Sequence, residues 1–120
     1  MNRHCHPRQT GEAALTRPQA QALLKQLQNW EINASGTGIT RTCHFKNYYQ
    51  TLAFVNALAW IAHQEDHHPT LTVHYNRCEI HYSTHSVNGL SENDFICAAK
   101  IDALLAADPA VSHSDPAKAR

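Results

Sequence analysis

Histidine is the side chain whose ordinary pKa, ~6.5, lies closest to neutrality. Five of the ten histidines in this 120-residue chain fall between Glu65 and His85, in the stretch EDHHPTLTVHYNRCEIHYSTH. Three of them form a set: the doublet His67-His68 follows the acid Asp66 and is locked by Pro69, and His85 lies seventeen residues beyond His68. Crowding groups that repel one another when protonated is costly, so the set points to chemistry. At neutral pH one imidazole can take a proton while its neighbour supplies one, each transfer worth ~10²–10⁴ in rate, which suits the elimination of water. Asp66 or Asp94 would bias such a pair by holding one imidazole charged, and Trp30 would cover a flat ring. Their plainer readings are a solvated acid, a helix cap and a core tryptophan. His44, His74, His81 and His113 sit among polar residues and read as solvated or cross-strand hydrogen-bonded.

Metal ligation is the rival chemistry. Three histidines make a common zinc shell, and His63 with His67 has the i, i+4 spacing of ligands on one helical face. Against it, the side chains of adjacent residues diverge, and the chain has no H-E-x-x-H signature. His4-Cys5-His6 would take up a stray metal at most, since no further ligands stand nearby in sequence. A metal-assisted hydrolase and a non-catalytic binding module that keeps the pocket are therefore the alternatives to metal-free acid/base catalysis.

The elements that must position this set can be counted along the chain. Thr16 as N-cap, Gln19 three residues on and Pro18 in the first turn start a helix with Leu23, Leu24 and Leu27 as its stripe. Two extended runs flank Ser35-Gly-Thr-Gly38 as a hairpin, Trp30 opening the first strand and the second placing Ile39, Cys43 and Phe45 on one face. Asn47 caps a second helix from Tyr48 to about His63, apolar at twelve of the fifteen positions from Tyr48 to Ala62. A helix apolar nearly all round needs cover on more than one side, and a second subunit is the expected cover. Leu71, Val73, Tyr75 and Cys78, Ile80, Tyr82 alternate about a two-residue turn at Asn76-Arg77. In that register Tyr75 faces Cys78, His74 meets Glu79, Thr72 meets His81, Thr70 meets Ser83 and His68 meets His85, within ~4.5–5.5 Å between Cβ atoms. Ser91 with Asp94 then resembles a capping box, and Phe95, Ala98, Ala99, Ile101 and Leu105 give the stripe of a third helix stopped by Asp108-Pro109. The expected architecture is α+β, in the order α-β-β-α-β-β-α: a four-stranded antiparallel sheet with three helices packed on one face.

Composition narrows the class. A chain of this length has room for one core, expected over residues 15–108, between a flexible N-terminus, 1–14, and a flexible tail, 109–120. Ten Lys+Arg balance ten Asp+Glu, and the sequence pI is near 7.1, so nothing draws the chain to nucleic acid or anionic membrane. No apolar run approaches the ~18 residues of a membrane span, and the N-terminus lacks the apolar centre of a secretory signal. Four scattered cysteines without a C-x-x-C pair fit reduced thiols, and the expected location is the cytoplasm.

Taken together, HFKNY at 44–48, DHHP at 66–69, YN at 75–76, STH at 83–85 and GLSEND at 89–94 resemble the pterin-4a-carbinolamine dehydratases. These are small α+β enzymes that remove water from 4a-hydroxytetrahydropterin to give quinonoid dihydropterin. The resemblance runs from Trp30 to about Ala107 and implies that His67, His68 and His85 are catalytic. It implies that Asp66, Ser83 and Thr84 line the pterin site with Trp30 near it, that Asp94 is a supporting acid, and that no metal or cofactor is used. It also implies a homodimer or homotetramer joined through sheet edges and helices, and a functional link to an aromatic amino acid hydroxylase, whose pterin the reaction regenerates. Some animal members bind a homeodomain transcription factor. One position departs from the pattern: His63 stands where the family usually has a glutamate, four residues before the doublet, which affects substrate orientation or affinity more than the chemistry.

Overall fold

The computed structural model describes residues 3–107. The expected tail, 109–120, and the Asp108-Pro109 stop lie outside the described residues. Helix α1 spans Arg17–Leu24, strands β1 and β2 Glu31–Ile32 and Ile39–His44, helix α2 Tyr48–Glu65, strands β3 and β4 Thr70–Val73 and Arg77–Tyr82, and helix α3 Glu92–Ala107. The sheet is antiparallel in the order β1-β2-β4-β3. This is the expected α+β arrangement in the expected order.

Local signals set the helix starts. The Thr16 hydroxyl accepts from the Gln19 N–H and the Gln19 side chain accepts from the Thr16 N–H at 2.8 Å, completing a capping box. Asn47 Oδ1 accepts from the Gln50 N–H at 2.9 Å and starts α2. The sheet buries one face: Ile39, Arg41 and Cys43 of β2 lie opposite Tyr82, Ile80 and Cys78 of β4, all buried, while the intervening residues are polar and half-exposed or, at Thr42, exposed. Phe45 and Phe54, both fully buried with ring centroids 5.0 Å apart, join this face to α2. Arg41 is the unusual member of the core, and it is paired. Its Nη1 donates to Asp102 Oδ1 at 2.6 Å, and the same carboxylate accepts from Trp30 Nε1 and the Gln28 N–H, each at 2.8 Å. Helix α2 buries only the stripe Thr51, Phe54, Leu58 and Ala62, leaving Tyr48, Tyr49, Leu52 and Trp60 exposed.

The second hairpin corrects the expected register. Thr70 pairs with His81, Thr72 with Glu79 and Val73 with Cys78, so every pairing has moved by two residues and the bend centres on Tyr75-Asn76, not Asn76-Arg77. The cause is tertiary. The Thr51 hydroxyl donates to the Tyr75 carbonyl at 2.9 Å, the Phe45 N–H donates to the Asn76 carbonyl at 2.8 Å, and Arg77 is drawn into β4 opposite His44. A shift of two keeps every side chain on its expected face. His74 consequently meets Glu79 across the diagonal, Nε2 to Oε2 at 3.0 Å. His68 and His85 are not ladder partners.

Candidate functional site

Two backbone features aim the histidines. Helix α2 ends with Asp66 in the left-handed region, φ 51°, its N–H donating to the Ala62 and His63 carbonyls while the His67 N–H reaches Ala62 at 3.1 Å. This is a Schellman-type stop with aspartate where glycine is usual, and it turns the chain sharply before Pro69 makes it extended. His67 is thereby sent inward and His68 outward. At the other end, β4 stops at Tyr82, Thr84 bridges to Gly89, and His85 opens a 3₁₀ turn, His85–Val87, at the surface.

The inward histidine sits in a built cradle. Its ring stacks on Tyr82, centroids 5.1 Å apart and 14° from parallel, and the Tyr82 hydroxyl donates to the His67 carbonyl at 3.0 Å. Nε2 lies 2.6 Å from Asp94 Oδ1, with the aspartate 0% and the histidine 12% exposed. Asp94 Oδ2 accepts from the Thr84 hydroxyl and the Ser91 N–H, each at 2.9 Å. Thr84 and Ser91 oxygens are 2.7 Å apart. Since Thr84 has one proton and gives it to Asp94, the Ser91 hydroxyl donates to Thr84, and every proton in the chain has an acceptor. Burial opposes a charge on His67, but the hydrogen bond and charge of Asp94 outweigh it and raise its pKa above the ordinary histidine value. With Nε2–H given to the carboxylate, Nδ1 is the nitrogen left for chemistry.

Asp66, His67, His68, Ser83, Thr84 and His85 line one cleft of about 600 Å³. Asp94 stands beneath it, holding His67 and Thr84. Two expected site residues lie elsewhere. Trp30 is buried against Asp102, and His63 is on the outer side of α2 with its ring 5.8 Å from that of Trp60. Neither lines the cleft. Sequence reasoning missed further lining residues, the N-terminal segment Cys5–Arg8 together with Glu65 and Asn93. Cys5 Sγ lies 3.6 Å from Cys97 Sγ. Glu65 lost its significance in the count because it precedes the doublet on the helix; its side chain accepts from the Cys5 N–H at 2.7 Å and from His4 at 2.8 Å. Burial would raise the pKa of Glu65, yet these donors and Lys100 lower it. Among the described residues no three His, Cys, Asp or Glu side chains are grouped to hold a metal ion.

The family model for Pterin 4 alpha carbinolamine dehydratase matches residues 13–104. The chain belongs to that family. A relative from Nitrosomonas eutropha with a provisional pterin-4-alpha-carbinolamine dehydratase name is 56% identical over 105 residues, covering 87% of this chain and 91% of its own. One from Xanthomonas campestris pv. campestris, similarly named, is 61% identical over 97 residues, covering 81% and 82%. Among solved structures, a transcriptional coactivator/pterin dehydratase from Brucella melitensis has a TM-score of 0.73 at 33% identity, over 76% of this chain and 97% of that one. A pterin dehydratase-like protein identified as a RuBisCO assembly factor in the alpha-carboxysome shares the fold, with a TM-score of 0.57 at 21% identity over 74% and 96%. No described helix is long and apolar enough to cross a membrane.

Proposed function

We propose that the cleft dehydrates 4a-hydroxytetrahydropterin to quinonoid dihydropterin by histidine acid/base catalysis. The observation that carries this reading is the convergence of His67, His68 and His85 on one cleft, with His67 alone held by a buried carboxylate. Two imidazoles in different environments divide the labour of an acid and a base. His67, its Nε2 proton held by Asp94, donates its Nδ1 proton to the 4a hydroxyl, and His85 takes the proton from N5. The N5 electron pair forms the C4a–N5 double bond as the C4a–O bond breaks, and water departs. His68 holds the hydroxyl in line, and Asp66, Ser83 and Thr84 form the polar wall around the ring. Both histidines return to their starting states by exchange with solvent, so no metal, cofactor or covalent intermediate enters.

The same reading places the protein in the cytoplasm as a homodimer or homotetramer, where it returns pterin for an aromatic amino acid hydroxylase. Purified protein should accelerate the dehydration of 4a-hydroxytetrahydropterin well above the buffer rate, with the rate unchanged by a chelator. Turnover at the buffer rate would leave a binding module, and turnover abolished by the chelator a metal enzyme.

A further inference from the structure

Residues 3–8 lie outside the span that the family model matches, 13–104, yet Cys5, His6, Pro7 and Arg8 among them line the cleft. Their backbone is fixed by side chains of the fold: the Cys5 N–H donates to Glu65 at 2.7 Å, the His6 N–H to Asn93 Oδ1 at 3.0 Å, and Asn93 Nδ2 to the His6 carbonyl at 2.6 Å. Arg3 adds an ion pair to Glu92 at 3.2 Å, away from the cleft. This strap carries Arg8 to the cleft, where its side chain is only 22% exposed.

Arg8 is the one permanently charged cation among the residues lining that cleft, whose other ionisable members are histidines, Cys5, Glu65 and Asp66. Its donors are poorly employed. Nη2 stands 3.5 Å from Asn93 Oδ1 and 3.9 Å from Glu92 Oε1, and Nε is buried without a partner. A guanidinium offers five donors, so most of its capacity is unspent. Its charge also acts on His67 in the sense opposite to Asp94, which puts it within electrostatic reach of the histidine proposed to act on the substrate's hydroxyl.

Resting on the pterin reading, we propose that Arg8 is a substrate-binding residue whose guanidinium donates to the carbonyl oxygen of the pterin's pyrimidinone ring. That carbonyl carbon is bonded directly to C4a, so a donor gripping its oxygen must stand beside the group that handles the 4a hydroxyl. Arg8 has that relation to His67. Cys5–Arg8 is thus part of the active site, and through Arg8 it orients the ring beside His67.

The test uses Arg8→Ala, Arg8→Lys and, as a control that loosens the strap away from the cleft, Arg3→Ala. Each is assayed for dehydration kinetics and, by calorimetry, for binding of the non-reacting 7,8-dihydrobiopterin. Loss of a charge-assisted hydrogen bond in Arg8→Ala should raise KM and Kd by at least ~10-fold while kcat stays within about threefold. Arg8→Lys should recover part of the loss and Arg3→Ala should resemble the wild type. With the positive charge gone, the His67 limb of the pH profile should move to higher pH. Unchanged KM and Kd in Arg8→Ala, or an equal loss in Arg3→Ala, would overturn the assignment. A wild type that binds the dihydropterin through Arg8 but dehydrates nothing would sink the dehydratase reading and leave Arg8 in place. A dehydrating enzyme indifferent to Arg8→Ala would do the reverse, and a wild type that binds no pterin would remove both.

Discussion

The decisive contact is between two side chains twenty-seven residues apart, His67 Nε2 and Asp94 Oδ1. Sequence reasoning could name Asp94 as an acid able to hold an imidazole charged, because its place in a capping box fixes it at the head of α3. It could not say which histidine, since the direction of His67 depends on the left-handed turn at Asp66, a conformation open to aspartate but not announced by it. The same contact makes a stability prediction. The pKa of His67 is raised in the folded state, so the pair stabilises fully below the unfolded value of ~6.5 and this contribution fades as pH rises through the folded pKa. His67→Gln should therefore cost about 2–3 kcal/mol in urea unfolding at acidic pH, where a buried charge loses its partner, and less at pH above the folded value. A cost that is flat or grows with pH would show that Asp94 does not hold the imidazolium.

At the level of elements, what was local was legible. The caps at Thr16 and Asn47 and the alternation along β2 and β4 are written in neighbouring residues, and each appears where the spacing put it. The register of the second hairpin was not, because its bend is set by donors from Thr51 and Phe45, whose reach depends on how α2 packs. The face of every strand residue survived that error, since a displacement of two leaves the pleat in phase. His85 therefore reaches the cleft by a different route from the one counted out, through a turn beyond the strand and not across a ladder. The strap was invisible for a related reason. Residues 3–8 have no periodicity of their own, and what fixes them is the polar pairing of Glu65 and Asn93 with their backbone. Trp30, open in the sequence to a ring cover or a core tryptophan, is buried in the core and donates to Asp102 beside Arg41.

For the whole molecule, the apolar excess of α2 is spent only in part on its own core. Tyr49 is 82% exposed, Trp60 60% and, at the adjoining hairpin bend, Tyr75 64%, an apolar surface that a lone chain would leave to water. The proposed homo-oligomer accounts for it. Light scattering at micromolar concentration should give at least twice the monomer mass, and Trp60→Glu should shift it toward the monomer; a monomeric wild type would refute this. The account as a whole rests on the three-histidine cleft as the seat of catalysis, and His85 probes it best, because its exposed ring can be removed without disturbing the core. The direct measurement is kcat/KM for dehydration of 4a-hydroxytetrahydropterin by wild type and His85→Ala. The account predicts a loss of at least ~10² with the fold intact, and near-normal turnover by the variant would contradict it.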